Sequence, residues 1–139
     1  MIKHTAHAVW NGSVKEGEGK LTTKSKVFNE QAYSYKTRFE NGEGTNPDEL
    51  IAAAHAGCFA MALSLILGQN GFTPESIEAQ ADVTMDPEKL ELTGSHLTLK
   101  AKVPGINTEQ FMEIANAAKD NCPVSKALNF KITMDATLL

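Results

Sequence analysis

Apolar and polar residues alternate strictly through "SIEAQADVTM", residues 76–85, with Ile77, Ala79, Ala81, Val83 and Met85 at every second position. That period puts the five on one face of a half-buried strand. Beyond a turn at "DPEK", the inward positions are first even, Leu90 and Leu92, then odd, Leu97, Leu99, Ala101 and Val103. A change of parity needs one extra residue, which predicts a β-bulge at Gly94. Shorter strand-like runs, "HTAHAVW", "GKLTTKS" and "QAYSYKTRF", fill the first third, between turn formers such as Asn11-Gly12 and Gly17–Gly19.

The period lengthens at "NGEGTNPDEL". Asn46 suits a helix N-cap, Pro47 the first helical position and Glu49 the third, so a long helix starts here and ends near Gly68 or Gly71. A second helix follows "PGINTEQ", with Asn107 and Gln110 as its cap pair and Phe111, Ile114, Ala115 and Ala118 as its apolar stripe. After "NCPVS" come a short helical turn and a last strand, "KITMDATL". The order βββ–α–ββ–α–β predicts an α+β fold with antiparallel β-sheets and segregated helices. With 139 residues the chain is long enough for one domain, 1–139, and a real core.

The run from Leu50 to Leu67 carries no formal charge over 18 residues, the lower limit for a membrane span. His55, Ser64, the many alanines and the acidic flank of Asp48 and Glu49 favour the central helix of a soluble domain instead. A net charge of −4 with scattered lysines argues against nucleic acid or an acidic membrane as the partner. The opening "MIKHTAHAVWNG" lacks the continuous apolar core of a secretory signal. Two cysteines 64 positions apart do not make a disulfide scaffold, so reduced thiols in a cytoplasmic setting are expected. Two distant cysteines and four scattered histidines also lack the close ligand spacing of a structural zinc site.

Candidate chemistry gathers at few residues. Cys58, inside "AAAHAGCFAMAL", is either a small core filler or a reactive thiol. Cys122 precedes Pro123 and so falls at a helix N-terminus, which favours a thiolate. Arg38 is the single arginine among 13 basic side chains, which points to a site needing a planar, permanently charged fork. His55 lies one turn before Cys58, either paired with it or hydrogen-bonded within the core. Asp48 and Glu49 suit the first turn of the long helix, and Asp48 is free for a second role.

Taken together, "HAVWNG", "TRFENGEGTNPDELIAAAHAGCFAMALSLIL" and "NCPVSKAL" resemble the osmotically inducible protein C (OsmC) family, relatives of the organic hydroperoxide resistance proteins. The form "GTNPDELIAAAHAGC" is more similar to the osmotically inducible branch. The resemblance implies an antioxidant stress-response peroxidase, an intertwined homodimer around paired central helices that reduces organic hydroperoxides. It places the peroxidatic cysteine on Cys58, the resolving cysteine on Cys122 and the activating arginine on Arg38. The family's glutamate after "NP" is replaced here by Asp48, one methylene shorter. No metal or flavin is implied, only an external dithiol reductant such as a dihydrolipoyl group.

Two other functions compete at this level: a cysteine hydrolase using Cys58 and His55, and a non-catalytic binder of small lipidic molecules. Helix geometry adds one expectation. Asp48 and Cys58 are ten residues apart on one helix, roughly 15 Å along its axis. Side chains do not close that gap, so Arg38 and Asp48 of one subunit are expected beside Cys58 of its partner.

Overall fold

The computed structural model describes every residue from Met1 to Leu139. Strands β1 (Ala6–Asn11), β2 (Glu18–Thr23) and β3 (Gln31–Tyr33) form an antiparallel sheet in that order. The run "QAYSYKTRF" does not continue as a strand. Ser34 turns it into a short helix, α1 (Tyr35–Phe39), closed by a capping box in which Ser34 N–H donates to Thr37 Oγ1 at 2.9 Å. Threonine stands where such boxes usually carry Glu or Gln, which hid the helix and put Arg38 on a strand. These elements belong to a compact unit, Met1–Leu50, in which Gly19 is the one buried residue. The registers Trp10–Gly19–Tyr33 explain why it is glycine: a Cβ there would lie about 2.5–2.6 Å from both aromatic rings.

Helix α2 (Pro47–Gln69) starts as its sequence requires, with Asn46 Oδ1 accepting the Glu49 N–H at 2.8 Å. It ends in a Schellman turn. Phe72 N–H donates to Leu67 O at 2.9 Å and Gly71 N–H to Gly68 O at 3.1 Å, with Gly71 at φ +84. The helix is apolar on every side, yet it buries one stripe, His55, Phe59, Leu63 and Leu67. Met61 and Leu65 remain 76% and 63% exposed.

The second unit, Ile51–Leu139, holds the core. Strand β4 (Ser76–Asp86) pairs antiparallel with β5 (Glu91–Lys102) and shows the expected alternation. The register shift falls where Thr84 faces Gly94 and Met85 faces Leu92, so Thr93 is the extra residue, one place before the predicted Gly94. Leu90 is not inward: it sits in the turn at φ +52 and is 73% exposed. Asp86 Oδ1 builds that turn by accepting the N–H groups of Glu88 and Lys89. On β5, Leu97, Leu99 and Ala101 are buried, as is Val103 just beyond it.

Helix α3 (Thr108–Asn121) is capped by Asn107, whose Oδ1 accepts Gln110 N–H at 2.8 Å, and it buries Phe111, Ile114, Ala115 and Ala118. A five-residue helix α4 (Pro123–Ala127) leads to β6 (Lys131–Leu138). Here the all-antiparallel expectation is corrected: β6 pairs with β5 in parallel. The connection passes through two helices, and such a crossover returns the chain in the same direction. At about 1.5–3 kcal/mol each, burial of Phe59, Leu63, Leu67 and Phe111 makes the helix–sheet seam the main source of stability.

Gly71→Ala should lower the unfolding free energy by about 1–2 kcal/mol, because alanine is strained at that left-handed position. A urea melt with an unshifted midpoint would show that the Schellman turn contributes nothing.

Candidate active site

Both cysteines are free thiols within Ile51–Leu139. Cys58 is half-buried on α2, next to the buried stripe. Cys122 is fully buried at the junction of α3 and α4. Its own N–H closes α3 on Ala118 O at 3.0 Å. Its sulfur caps α4, accepting the Ser125 N–H at 3.4 Å and the Ser125 hydroxyl at 3.5 Å. Pro123 makes that cap economical, since the first helical position has no partner for an N–H in any case.

The two thiols, far apart in sequence, act on each other directly. Burial pushes the Cys58 thiol up; the Val124 N–H partly offsets this, and the adjacent Cys122 pushes it further up. For Cys122, burial also works to raise the pKa. Hydrogen bonds from the Ser125 hydroxyl and N–H, then the Cys58 side chain and the Val124 N–H, outweigh it and leave this thiol lowered. Of the two, Cys122 is therefore the thiol that ionises more readily and Cys58 the one that keeps its proton longer. Within this unit no cation acts on Cys58.

His55 is fully buried and does not pair with Cys58. Its Nδ1 lies 2.8 Å from Ser95 Oγ and its Nε2 2.8 Å from Ser125 Oγ. Both ring nitrogens are thus occupied, which removes the geometric basis for a Cys58–His55 hydrolase. Burial alone pushes its pKa down, so the ring rests neutral. Ser95 and Ser125 were not foreseen, since serines in a strand and a short helix carry no distinctive pattern.

In Met1–Leu50, Arg38 and Asp48 form a side-on bidentate pair, Nη2 to Oδ1 at 2.9 Å and Nε to Oδ2 at 3.3 Å. Glu49 is engaged elsewhere, accepting the Thr45 hydroxyl at 2.7 Å, so Asp48 is the arginine's partner. Asn46 sets the geometry: while its Oδ1 caps α2, its Nδ2 donates to Thr37 O at 2.8 Å. Arg38 follows Thr37, so one side chain ties its helix to the start of α2. The guanidinium also lies 5.5 Å from the centre of the Phe39 ring. The pair uses Nε and Nη2, and Nη1 has no partner.

Arg38 borders a cleft of about 240 Å³ whose walls include Trp10, Tyr33, Tyr35, Phe39 and Pro47. Sequence reasoning missed this aromatic wall. A signal existed, since these four are among only nine aromatic residues and all precede residue 40. The cleft suits an apolar group carrying a polar end that reaches Arg38. No group of three or more His, Cys, Asp or Glu side chains is arranged to hold a metal ion.

Comparison with known proteins agrees along the whole chain. A family model described as OsmC-like protein matches residues 40–137. The chain is 48% identical to peroxiredoxin OsmC of Escherichia coli (strain K12), covering 99% of this chain and 97% of that protein. It is 31% identical to the organic hydroperoxide resistance protein OhrB of Bacillus subtilis (strain 168) over 78% of this chain and 80% of that one. Among solved structures, an OsmC-like protein from Mycoplasma pneumoniae superposes with a TM-score of 0.76, at 15% identity, over 99% of this chain and 98% of that chain. At that identity the likeness is one of fold.

If Cys122 is what holds the proton on Cys58, Cys122→Ala should lower the Cys58 pKa, while Cys58→Ala should raise that of Cys122. Thiolate absorbance titrations of the two single-cysteine proteins against wild type read both shifts. Two titrations identical to those in the wild type would show the thiols to be independent.

Proposed function

The chain belongs to the OsmC family, on the OsmC rather than the hydroperoxide-resistance side, and from that premise we infer that its two cysteines divide the reduction of an organic hydroperoxide between them. It is a cysteine-based peroxidase. The observation that carries the mechanism is the pairing of Cys58 with a buried Cys122 whose sulfur already accepts two hydrogen bonds from Ser125. In the first step the Cys58 thiolate attacks the distal oxygen of the hydroperoxide. An S–O bond forms and the O–O bond breaks, leaving a sulfenic acid and an alkoxide that takes a proton and departs as alcohol. In the second, Cys122 attacks the Cys58 sulfur, giving the disulfide and water. An external dithiol then returns both thiols by exchange, becoming a disulfide itself.

The first step requires a thiolate on Cys58, whereas the pair by itself leaves the proton there. A guanidinium beside Cys58 reverses that preference. In our reading Arg38 supplies it, aligned by Asp48, with Nη1 open to the sulfur or to the peroxide and the aromatic cleft holding the organic tail.

The site is composite in a homodimer. Three observations support this: the ten-residue separation of Asp48 and Cys58 on α2, the exposed apolar side of that helix, and the coreless first unit. Ala53, Ala54, Gly57, Met61 and Leu65 lie exposed, and a Cβ on Gly57 or Gly68 would meet nothing within 4 Å. A second α2 could pack there closely. By length and hydropathy this helix would also cross a bilayer; covering its open side with another copy accounts for it in a cytoplasmic protein with reduced thiols. In this reading residues 1–139 act as one OsmC-like domain.

Peroxide consumption with a dithiol tests the chemistry. Cys58→Ser should abolish turnover with organic hydroperoxides, and full activity in that variant would refute the mechanism. Cys122→Ser should consume about one equivalent per site and then stall. Arg38→Lys should slow the peroxide step about tenfold or more, because an ammonium does not bridge thiolate and carboxylate in one plane.

Mixing Cys58→Ser with Arg38→Ala protein tests the assembly. After subunit exchange each mixed dimer contains one intact site, and part of the activity should return. Absence of rescue despite demonstrated exchange would mean that each chain builds its own site.

A further inference from the structure

The hydrogen bonds around Cys122 do not stop at Ser125. They run Cys122 Sγ, Ser125 Oγ, His55 ring, Ser95 Oγ, at 3.5, 2.8 and 2.8 Å. Cys122 and His55 are wholly buried, Ser125 is 7% exposed and Ser95 3%. No Asp, Glu, Lys or Arg side chain joins this line. A buried histidine could be satisfied by backbone carbonyls; here both nitrogens meet hydroxyls, groups able to donate or accept. The line can therefore carry its protons in two arrangements. In one, the Ser125 hydroxyl turns from the sulfur, to which it donates in the structure, to Nε2, so that Cys122 S–H donates to Ser125 and Nδ1–H to Ser95. In the other, each proton between sulfur and ring has moved one place, leaving a thiolate and an imidazolium with one hydroxyl between them.

Resting on the assignment of Cys122 as the resolving thiol, we propose that His55, acting through the Ser125 hydroxyl, accepts the Cys122 proton in the disulfide-forming step. The step balances without another reagent. The Cys122 proton passes to Ser125 Oγ as the Ser125 proton passes to Nε2. The thiolate attacks the Cys58 sulfur, the S–S bond forms and the S–O bond breaks. The hydroxide released takes up one proton to become water, and the imidazolium gives one up, so the ring ends neutral.

A sulfur that is 0% exposed meets bulk hydroxide only when the structure opens, so near neutral pH, where hydroxide is scarce, the buried relay is the faster route. Burial also keeps His55 neutral and ready to accept. The imidazolium formed would be costly alone, and the thiolate one hydroxyl away is the charge that compensates it. His55 touches neither sulfur in this scheme and works as a positioning residue. The groups facing it are Ser95 from β5, Ser125 from α4, the Cys122 cap and, one turn along α2, Cys58. Cys122 is the titrating group on which the pH profile depends.

The test mixes reduced protein with one equivalent of an organic hydroperoxide and follows sulfenic acid and disulfide by quenched mass spectrometry. In wild type both steps are read from one time course. His55→Gln keeps an amide that can hydrogen-bond but does not take a proton. Near neutral pH its disulfide should form about tenfold or more slowly, and the deficit should close as pH rises and hydroxide does the work. Ser125→Ala, which leaves His55 in place, should show the same profile, and carries the test if His55→Gln does not fold. Disulfide formation at the wild-type rate in both variants, or a deficit equal at every pH, overturns the relay. Wild-type protein that never oxidises Cys58 would overturn the peroxidase reading, and the relay with it.

Discussion

A helix that is hydrophobic around its whole circumference has to be covered on every side, and this chain covers one stripe of α2. Much of the architecture answers to that constraint. The stripe His55, Phe59, Leu63, Leu67 nucleates the core of the second unit, against the inward face of β5 and the seam of α3. The opposite side is left open, with Met61 and Leu65 standing among alanine and glycine and nothing within 4 Å of a Cβ on Gly57 or Gly68. The N-terminal sheet adds a second unmet demand, since three short strands that bury only a glycine do not make a stable fold unaided. In the dimer we propose, both demands would be met by the same act, association of two copies, which would also bring the arginine of one to the thiol of the other.

The electrostatics give that association a chemical meaning. Left to hydrogen bonds and burial, the cysteine pair is polarised toward resolution: Cys122 ionises more readily and Cys58 holds its proton. Peroxide attack needs the reverse. Separating the guanidinium from the thiol pair, and returning it only in the assembled protein, would keep Cys58 protonated in an unpartnered chain. Asp48 serves this arrangement with a shorter arm than glutamate, and its side-on grip leaves one edge of Arg38 free.

Most of what could be read from sequence was local. Asn46-Pro47 and Asn107 announced their helices because capping is a contact between near neighbours, and β4 announced itself because its two faces differ in polarity. The stripe of α3 was legible for the same reason. Failures came where a distant partner decides. Arg38 looked like a strand residue because Thr37 closes the capping box in place of Glu. Leu90 looked inward until Asp86 bent the chain into a turn. The direction of β6 depends on the path through α3 and α4, and no pattern within β6 records it. Cys58, Cys122, Arg38 and Asp48 stood out by their residue types; Ser95 and Ser125 became visible only once a histidine lay between them.

That parallel pairing bears on how the chain acquires its structure in time. Residues joined across β5 and β6 are 37 positions apart, and His55 meets Ser125 over 70. Contacts of such span form late, because the entropy of closing the loop has to be met before they return any energy. Cys122 lies inside the last large loop to close. A nascent chain thus presents Cys58 on an early helix well before its partner sulfur is caged, and the sequence order of the elements separates maturation of the two thiols.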